Sequence, residues 1–359
     1  MTPRTLLVAN RGEVAIRVMR TAADLGLRTV AVFSEDDALS LHTRRADEAR
    51  ALRGIGPPAY LDAEQIVDVA RAAGCDAIHP GYGFLSESAA FARLCGDAGI
   101  RFVGPRPEAL ELFGDKTRAR DLAKRLGVPV LRGTGPGAAE EIREFLASLG
   151  EDGSIVIKAI AGGGGRGMRV VERPEDVDQA YRRCRSEAES AFGNGALYAE
   201  ERMPRARHVE IQILGDGSGA ALVLGDRECT LQRRHQKIVE VAPSPSLGPG
   251  LRERLCGAAL ALAAEARLAS LATFEFLVDA SGASGAADAS DPSRFAFLEV
   301  NPRLQVEHTV TEETTGLDLV RLQLEIAAGR SLAELDLTPA PRVPSGFAVQ
   351  ARVNLETMG

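Results

Sequence analysis

The 359-residue sequence predicts an α/β protein that begins with a doubly wound parallel sheet and continues as an α+β region. Two observations predict this class. In the first third, short apolar runs alternate with amphipathic segments of roughly 10–15 residues, which is typical of parallel βαβ units. After residue 150, strand-like runs follow one another closely and hairpin signals appear. The length corresponds to about two or three domains.

Composition excludes several classes of protein. Lysine and arginine number 43 and aspartate and glutamate 50, so the net charge is −7, which disfavours nucleic acid as a partner. No stretch approaches the roughly 20 apolar residues of a membrane span, and the N-terminus has no signal-peptide pattern. The five cysteines are odd in number and lack CxxC spacing. We therefore expect reduced thiols and a cytoplasmic location, without membrane association.

The first third is predicted element by element from its apolar runs and glycine stops. The predicted strands are 5–9, 28–34, 75–79 and 100–103, and the predicted helices are 13–25, 63–73 and 86–98. Ligands bind such sheets at the carboxyl ends of the strands. Two turns at those ends contain polar residues or glycines, namely residues 10–13 and 79–84.

The remainder changes character near Lys116. We predict helices over 107–126, 138–149 and 250–266. Strands are predicted over 154–158, 168–171, 208–214, 220–224, 229–233, 238–241, 272–278, 295–300 and 346–355. Residues 215–219 are a hairpin signal, and 280–294 are predicted to be a flexible loop. A strand so close to Gly359 suggests a C-terminally truncated chain.

Four consecutive glycines, 162–165, are the strongest local signal for ligand binding. Glycine runs weaken packed structure, but their amide groups can close around phosphate oxygens. The segment fits GxGxxG, yet a strand follows from Met168 where a dinucleotide fold needs a helix, and no Walker lysine follows. A surface turn is the alternative; nearby Lys158, Arg166 and Arg169 favour a phosphate-binding hairpin lid.

Two glutamates lie in apolar strands. Glu275 is between phenylalanines, and Glu299 precedes Val300 and Asn301. Buried charges need a partner, and two carboxylates with an amide oxygen suit Mg²⁺. Salt bridges to arginines are the alternative for either glutamate alone.

Two further segments concentrate polar side chains. Residues 301–308 place Asn, Arg, Gln, Glu and His directly after a buried strand, where an anion-binding arginine and a general base are expected. In residues 232–237, an alternating strand would put Arg233, His235 and Lys237 on one face, which favours an anionic ligand. The alternative is a solvated charged surface. RNA is disfavoured because aromatic residues do not interleave.

These segments together resemble the biotin carboxylase component of biotin-dependent carboxylases, an ATP-grasp family. The resemblance runs from about residue 6 to 354. It depends on an ordered set of blocks: VANRGEVAIR, HPGYGFLSE, GDK, KAIAGGGGRGMR, RHVEIQIL, QRRHQK, TFEF and EVNPRLQVEHTVTE. Ser88 stands where the family usually has asparagine, and residues 280–294 are an insertion.

The resemblance implies an N-terminal Rossmann-like domain over 1–114 and an ATP-grasp domain over 115–345 with a lid over about 132–203. Residues 346–359 would be the start of a truncated C-terminal domain. It also implies roles for individual residues. ATP would be bound by Lys116, Lys158, Gly163, Gly164, Gly165, Glu200, Glu201, Met203, His208, Gln232 and His235. Metal would be bound by Glu275, Glu299 and Asn301, and bicarbonate by Lys237, Arg303, Gln305 and Val306. Glu307 would be the general base, and Arg352 would stabilise the biotin enolate; Arg303 and Lys237 would also act in catalysis.

The implied reaction is ATP-dependent carboxylation of biotin by bicarbonate through carboxyphosphate, the first half-reaction of an acyl-CoA type carboxylase. The implied cofactors are ATP, Mg²⁺ or Mn²⁺, and biotin on a carrier domain. A carboxyltransferase domain and an oligomeric enzyme are the implied partners. Three alternatives remain open: an ammonia-using ligase of the carbamoyl-phosphate synthetase type, a non-catalytic nucleotide-binding or assembly module, and, least favoured, a nicotinamide dehydrogenase.

Overall fold

The computed structural model describes residues 3–160, 167–234, 236–280, 295–337 and 344–353. Several sequence predictions lie outside these residues: the glycines Gly163, Gly164 and Gly165, His235, and nearly all of the loop 280–294. In the described residues no helix combines the length and apolar character needed to cross a bilayer.

The N-terminal region contains a five-stranded parallel sheet in the order β3-β2-β1-β4-β5. Its strands are β1 (Thr5–Val8), β2 (Arg28–Phe33), β3 (Glu48–Ala51), β4 (Ala77–His79) and β5 (Arg101–Phe102), and its helices are α1 (Gly12–Asp24), α2 (Ala63–Ala72) and α3 (Ala89–Asp97). Leu6 and Val8 pack towards α1, whereas Leu7 packs with α2 and α3. Helices therefore cover both faces, and the predicted doubly wound sheet is confirmed.

The strand order reverses between β1 and β4, and the two polar turns meet at this point. Asn10 follows β1, and its Nδ2 donates to the carbonyl oxygens of Pro80 (2.7 Å) and Tyr82 (2.8 Å), just after β4. Ser88 caps α3 by accepting from the amide of Phe91 at 3.2 Å. Serine is as good an N-cap as asparagine, so the substitution preserves the cap.

A second unit is a three-stranded antiparallel sheet in the order β7-β6-β8, packed with two helices. It consists of α6 (Ala139–Ala147), β6 (Ile155–Ala159), β7 (Met168–Val171), α7 (Val177–Phe192) and β8 (Leu197–Glu201). β6 pairs with both β7 and β8. The predicted pairing of the strands that flank the glycine run is confirmed.

The largest sheet has six strands in the order β13-β12-β9-β10-β11-β14 and is antiparallel throughout. Its strands are β9 (Ala206–Asp216), β10 (Ala221–Arg233), β11 (Gln236–Ala242), β12 (Ala269–Asp279), β13 (Phe295–Asn301) and β14 (Ala348–Ala351). The associated helices are α4 (Pro107–Gly114), α5 (Lys116–Arg125), α8 (Pro249–Glu265), α9 (His308–Thr315) and α10 (Leu319–Ala327). One core contains residues of α4, α5 and α8, and another joins α10 to α1.

Three predictions for this region were wrong. The helix predicted over 107–126 is broken, because the Asp115 carboxylate caps α5 by accepting from the amides of Thr117 and Arg118. The strands predicted over 220–224 and 229–233 form one strand, β10. The charged residues 226–228 in the middle of β10 are buried and hydrogen-bonded. The Asp226 carboxylate, for example, accepts from the amide of Ser244 at 2.6 Å.

The third error concerns the basic cluster. Arg233 ends β10, Arg234 adopts a positive φ of 52°, and Lys237 lies on the neighbouring strand β11. Arg233 and Lys237 therefore lie on two neighbouring strands and do not share one face of a single strand. Gln232 is the register partner of Lys237.

Candidate active site

Lys237 lies at the centre of a cluster of carboxylates on the six-stranded sheet. Its Nζ donates to Glu307 at 2.7 Å and to Glu275 at 3.0 Å, and it also contacts Glu210. Glu210 on β9 and Glu275 on β12 are register partners, so their side chains emerge side by side. Burial lowers the pKa of Lys237, but the three carboxylates outweigh burial and raise it well above its usual value. The site is therefore buried, charged and internally paired.

Glu307 is held between two cations. It precedes α9 and is 2% exposed, and it accepts from Lys237 on one oxygen and from Arg352 Nη2 on the other, at 2.8 Å. Burial and the Glu210 carboxylate each raise the pKa of Glu307. The cations Lys237 and Arg227 lower it by more, so the pKa of Glu307 lies below its usual value. The structure thus brings together the predicted base and the predicted enolate-stabilising arginine. Arg352 is itself oriented by Glu240, which accepts from its Nε at 2.6 Å.

The loop after β13 places Arg303 and Gln305 beside this cluster. Arg303 pairs with Glu87 of the N-terminal region, and its Nη2 donates to Asn301 Oδ1 at 3.0 Å. Gln305 Nε2 donates to Glu275 at 3.3 Å. Val306 is partly buried in the same loop. All four residues predicted to bind bicarbonate therefore belong to this cluster or to the loop that borders it.

The predicted metal ligands lie on neighbouring strands. Glu275 and Glu299 are register partners of β12 and β13, which places two carboxylates on one face of the sheet. Carboxylate oxygens are the ligands that Mg²⁺ and Mn²⁺ prefer, so this pair fits such an ion. Asn301 differs from expectation: its Nδ2 donates to Glu275 at 2.7 Å, and its oxygen faces Arg303.

Lys116 connects the carboxylate pair to the start of α5. Its Nζ is 3.1 Å from Glu299. Burial alone would raise the pKa of Glu299, but the Lys116 ammonium lowers it to about 2. A lysine next to the two predicted metal ligands is suited to bind a phosphate group.

Lys158 on β6 and Glu200 on β8 are paired inside the three-stranded unit. Glu200 is 2% exposed and contacts both Lys158 and Arg120. Arg120 belongs to α5, and its Nη2 also donates to the carbonyl of Leu131 at 2.8 Å. The Glu200 carboxylate is thus engaged in a buried ion pair. Glu201 and Met203, the other predicted hinge residues, lie at the end of β8 and just beyond it.

His208 and Gln232 link this region to the carboxylate cluster. His208 Nε2 is 2.9 Å from Glu275 and 3.3 Å from Glu210, and Gln232 Nε2 lies 3.3 Å from His208 Nδ1. Burial lowers the pKa of His208, but Glu275 and then Glu210 outweigh it and raise the pKa to about 10. His208 is therefore a cation in this arrangement, paired with residues of the site.

Sequence reasoning missed Glu210, Arg227, Glu240, Glu87 and Arg120. Glu210 carries the same signal that identified Glu275, a lone acid in the apolar run 209–214. Arg227 lies in the charged run 226–228, which is typical of a solvated turn. The partners of Glu87, Glu240 and Arg120 are distant in sequence, so no local pattern marks them.

The paired strands with their carboxylates, the facing lysines and the small three-stranded unit are typical of the ATP-grasp fold. The family model "Biotin carboxylase, N-terminal domain" matches residues 2–110, and "Carbamoyl-phosphate synthase L chain, ATP binding domain" matches residues 115–335. The chain belongs to the biotin carboxylase family.

Relatives and solved structures agree with this assignment. Mitochondrial pyruvate carboxylase of Rattus norvegicus is 48% identical over 98% of this chain, and pyruvate carboxylase of Staphylococcus aureus is 46% identical over 98%. The chain spans 29% and 30% of the lengths of these two relatives. A biotin carboxylase structure from Campylobacter jejuni superposes with a TM-score of 0.90 at 38% identity, covering 98% of this chain and 75% of that one.

Proposed function

We propose that this chain catalyses the carboxylation of biotin by bicarbonate at the expense of ATP, through carboxyphosphate. The observation that supports this reaction best is the arrangement around Glu307. One buried carboxylate is contacted by Lys237 and by Arg352, and Gln305 and Arg303 lie alongside. A general base, an anion-binding set and an enolate-stabilising guanidinium thus occupy one cluster. A biotin carboxylase of Hydrogenobacter thermophilus, 40% identical, has been solved with MgADP and bicarbonate.

In this proposal Lys116 and Lys158 bind the phosphates of ATP. Glu307 removes the proton of bicarbonate, and the resulting oxyanion attacks the γ-phosphorus. The bond from that phosphorus to ADP breaks, which yields ADP and carboxyphosphate. Charge develops on oxygens throughout, so positioned cations lower the barrier more than covalent catalysis would. The burial of this cluster also suits carboxyphosphate, which water destroys.

Arg352 completes the reaction on biotin. Deprotonation of N1′ places negative charge on the ureido oxygen, and a guanidinium next to that oxygen stabilises it. Carboxyphosphate splits at its carbon–oxygen bond into CO2 and phosphate, and the released phosphate takes the N1′ proton. The N1′ anion then forms a bond to the carbon of CO2, which gives carboxybiotin. Glu240 and Glu307 together fix the guanidinium through its Nε and Nη2.

A divalent ion, Mg²⁺ or Mn²⁺, fits the paired carboxylates of Glu275 and Glu299. When bound, such an ion neutralises negative charge on the phosphates of ATP. Lys116, which contacts Glu299, would then also contact the phosphates of the nucleotide. The remaining predicted ATP residues, including the glycines 163–165 and His235, keep the roles that the family resemblance gives them.

The wider setting of the reaction is also a proposal. Relatives such as the long-chain acyl-CoA carboxylase, 45% identical, are described as single-chain and multi-domain. We propose that biotin reaches this site on a carrier domain, that a carboxyltransferase domain takes the carboxyl group onward, and that the intact enzyme is an oligomer. The five cysteines are free, which fits a reducing compartment such as the cytoplasm. We also propose domain limits of 1–114, 115–345 and 346–359.

The test is the co-substrate dependence of ADP formation by the full-length protein. We expect ADP release that requires bicarbonate and is accelerated by free biotin. Ammonium chloride should not replace biotin. Acceleration by ammonium with formation of carbamoyl phosphate would favour a ligase of the carbamoyl-phosphate synthetase type. ADP formation indifferent to both bicarbonate and biotin would refute the proposal.

A further inference from the structure

Arg227 is the largest fully buried side chain of the described residues, and it lies beneath the candidate active site. It is on β10, opposite its register partner Glu210 on β9. Its guanidinium makes six hydrogen-bond contacts through all three nitrogens. Its acceptors are Glu210 (3.0 and 3.2 Å), Gln212 (2.8 Å), Thr273 (3.1 Å), Thr311 (3.0 Å) and Gln305 (3.0 Å).

These acceptors belong to separate parts of the fold. Glu210 and Gln212 are on β9, Thr273 is on β12, Thr311 is on α9, and Gln305 is in the loop before α9. A guanidinium has five N–H donors in fixed, coplanar directions, whereas an ammonium has only three donors, which rotate freely about the Cε–Nζ bond. Arg227 therefore joins the sheet to α9 and to the loop before it, which contains three of the predicted bicarbonate residues.

We infer that Arg227 is a positioning residue that sets the polarity of the bicarbonate site. This inference rests on the proposed function. The Gln305 side chain has one accepting and one donating end, and Arg227 Nη2 engages the accepting oxygen. The Gln305 amide nitrogen must then face the opposite way, where it donates to Glu275 at 3.3 Å. A donor facing the cluster suits an oxyanion, and an amide turned the other way would present a repelling oxygen.

Arg227 also positions the lysine of the site through a shared glutamate. Glu210 Oε2 accepts from Arg227, and Glu210 Oε1 is the atom that contacts Lys237. Arg227 donates no hydrogen bond to Lys237 or Glu307 within the described residues, although its charge lowers the pKa of Glu307. Its effect on the geometry of the site therefore passes through Glu210 and Gln305. Loss of Arg227 would leave Glu210 with Lys237 and His208 alone, and Lys237 would be drawn towards it and away from an incoming anion.

The experiment compares the full-length protein with its Arg227→Lys variant in steady-state assays of ADP formation. We expect the KM for bicarbonate to rise by about tenfold or more, with kcat changed by less than about threefold and the KM for ATP unchanged. The matched control is Arg252→Lys. Arg252 pairs with Asp226 and donates to the carbonyl of Ser244, also next to β10 but outside the site. The Arg252→Lys variant should leave the KM for bicarbonate unchanged.

Thr311→Val keeps the test decisive if the lysine variant does not fold. It removes one acceptor of Arg227 Nη1 and leaves the guanidinium in place. The KM for bicarbonate should rise in the same direction, by about threefold. A uniform loss of kcat with unchanged KM values in the folded variants would show that Arg227 is merely structural and would overturn the inference. If the unaltered protein forms ADP without bicarbonate, the proposed function fails instead.

Discussion

Lys237 and its neighbours form a charge-balanced set of side chains. Glu210, Glu275 and Glu307 supply three carboxylates, and Lys237, Arg227 and His208 supply three cations. Buried charges are tolerated when they are paired and hydrogen-bonded, and removing one partner leaves an uncompensated charge. Each residue of this set therefore influences the orientation of the others. Glu307 is kept ionised by the balance, which is the state that a general base needs.

Replacing Glu307 with glutamine tests the proposed base. The amide keeps the size of the side chain but cannot accept the bicarbonate proton, so kcat for bicarbonate-dependent ADP formation should fall by about 10²-fold or more. ATP binding, measured by calorimetry, should be unchanged because Glu307 is not among the nucleotide residues. The control is Glu334→Gln; within the described residues the Glu334 carboxylate accepts hydrogen bonds from Ser331 alone. A Glu307→Gln variant with near-normal kcat would contradict the assignment.

Buried histidines predict how stability depends on pH. His79 ends β4, accepts from the amide of Gly81 at Nδ1 and contacts Gln323 of α10 through Nε2. Burial lowers its pKa from 6.5 to about 4, so the folded protein keeps it neutral where the unfolded chain protonates it. The contribution of neutral, buried His79 to the free energy of unfolding is fully present above pH 6.5. It is lost as the pH falls from 6.5 to 4. The loss is about 1.4 kcal/mol per pH unit.

His79→Asn removes this titration and retains an accepting oxygen for the Gly81 amide. Between pH 6.5 and pH 5, urea unfolding of the variant should lose about 2 kcal/mol less stability than the unaltered protein. His308, whose pKa burial also lowers to about 4, remains in both proteins and supplies a common background. Equal pH slopes for the two proteins would contradict this account.

At the residue scale, a lone acid in an apolar strand marked two residues of the carboxylate cluster, whose role as metal ligands stays a prediction. Glu275 and Glu299 were identified in this way, and the structure places them opposite each other. Glu210 has the same signal and was overlooked. Arg227 could not be recognised, because its burial depends on acceptors from β9, β12 and α9 that come together only on folding.

At the scale of elements, strand β8 and helix α5 are joined by a buried ion pair. Glu200 of β8 contacts Arg120 of α5, and Arg120 also lies 5.9 Å from the ring centroid of Tyr198 on β8. These contacts connect the three-stranded unit to the helix that begins at Lys116. β8 was not predicted as a strand, since it is short and ends in charged residues; its pairing with β6 determines its conformation.

Arg120→Met tests this connection. The substitution leaves Glu200 with Lys158 alone, and breaking a buried pair costs about 3–5 kcal/mol. Hydrogen exchange of the amides of residues 197–201 should therefore accelerate. Residues 5–8 of β1 should be unaffected, and they provide the internal control. Unchanged protection across β8 would show that the ion pair does not hold the unit in place.

At the scale of the whole molecule, the N-terminal sheet and the six-stranded sheet are joined by polar contacts. Arg17 of α1 pairs with Glu312 at 2.7 Å and with Asp318 at 2.9 Å, and Glu87 pairs with Arg303 beside the site. The first contact ties α1 to the helices of the larger region. The second places an N-terminal residue against the predicted bicarbonate arginine, so residues of both regions border the site.

The doubly wound sheet was predictable because its alternating apolar runs are local. The order of the six-stranded sheet was not, since it depends on pairings such as β9 with β12, whose residues are about 60 positions apart. The family resemblance implied the site residues in advance, and the structure brings Lys237, Glu275, Glu307, Gln305 and Arg352 together. The Asn301 amide is the exception, as its oxygen faces Arg303 and not the carboxylates.

Transfer of oxygen from bicarbonate to phosphate tests the central claim most directly. Bicarbonate labelled with ¹⁸O is supplied to the full-length protein with ATP and biotin, and the released phosphate is analysed by mass spectrometry. If bicarbonate attacks the γ-phosphorus, the bridging oxygen stays with phosphorus when carboxyphosphate splits, so each phosphate should contain one labelled oxygen. Phosphate with oxygen from water only would show that this pocket hydrolyses ATP without activating bicarbonate, and would contradict the account.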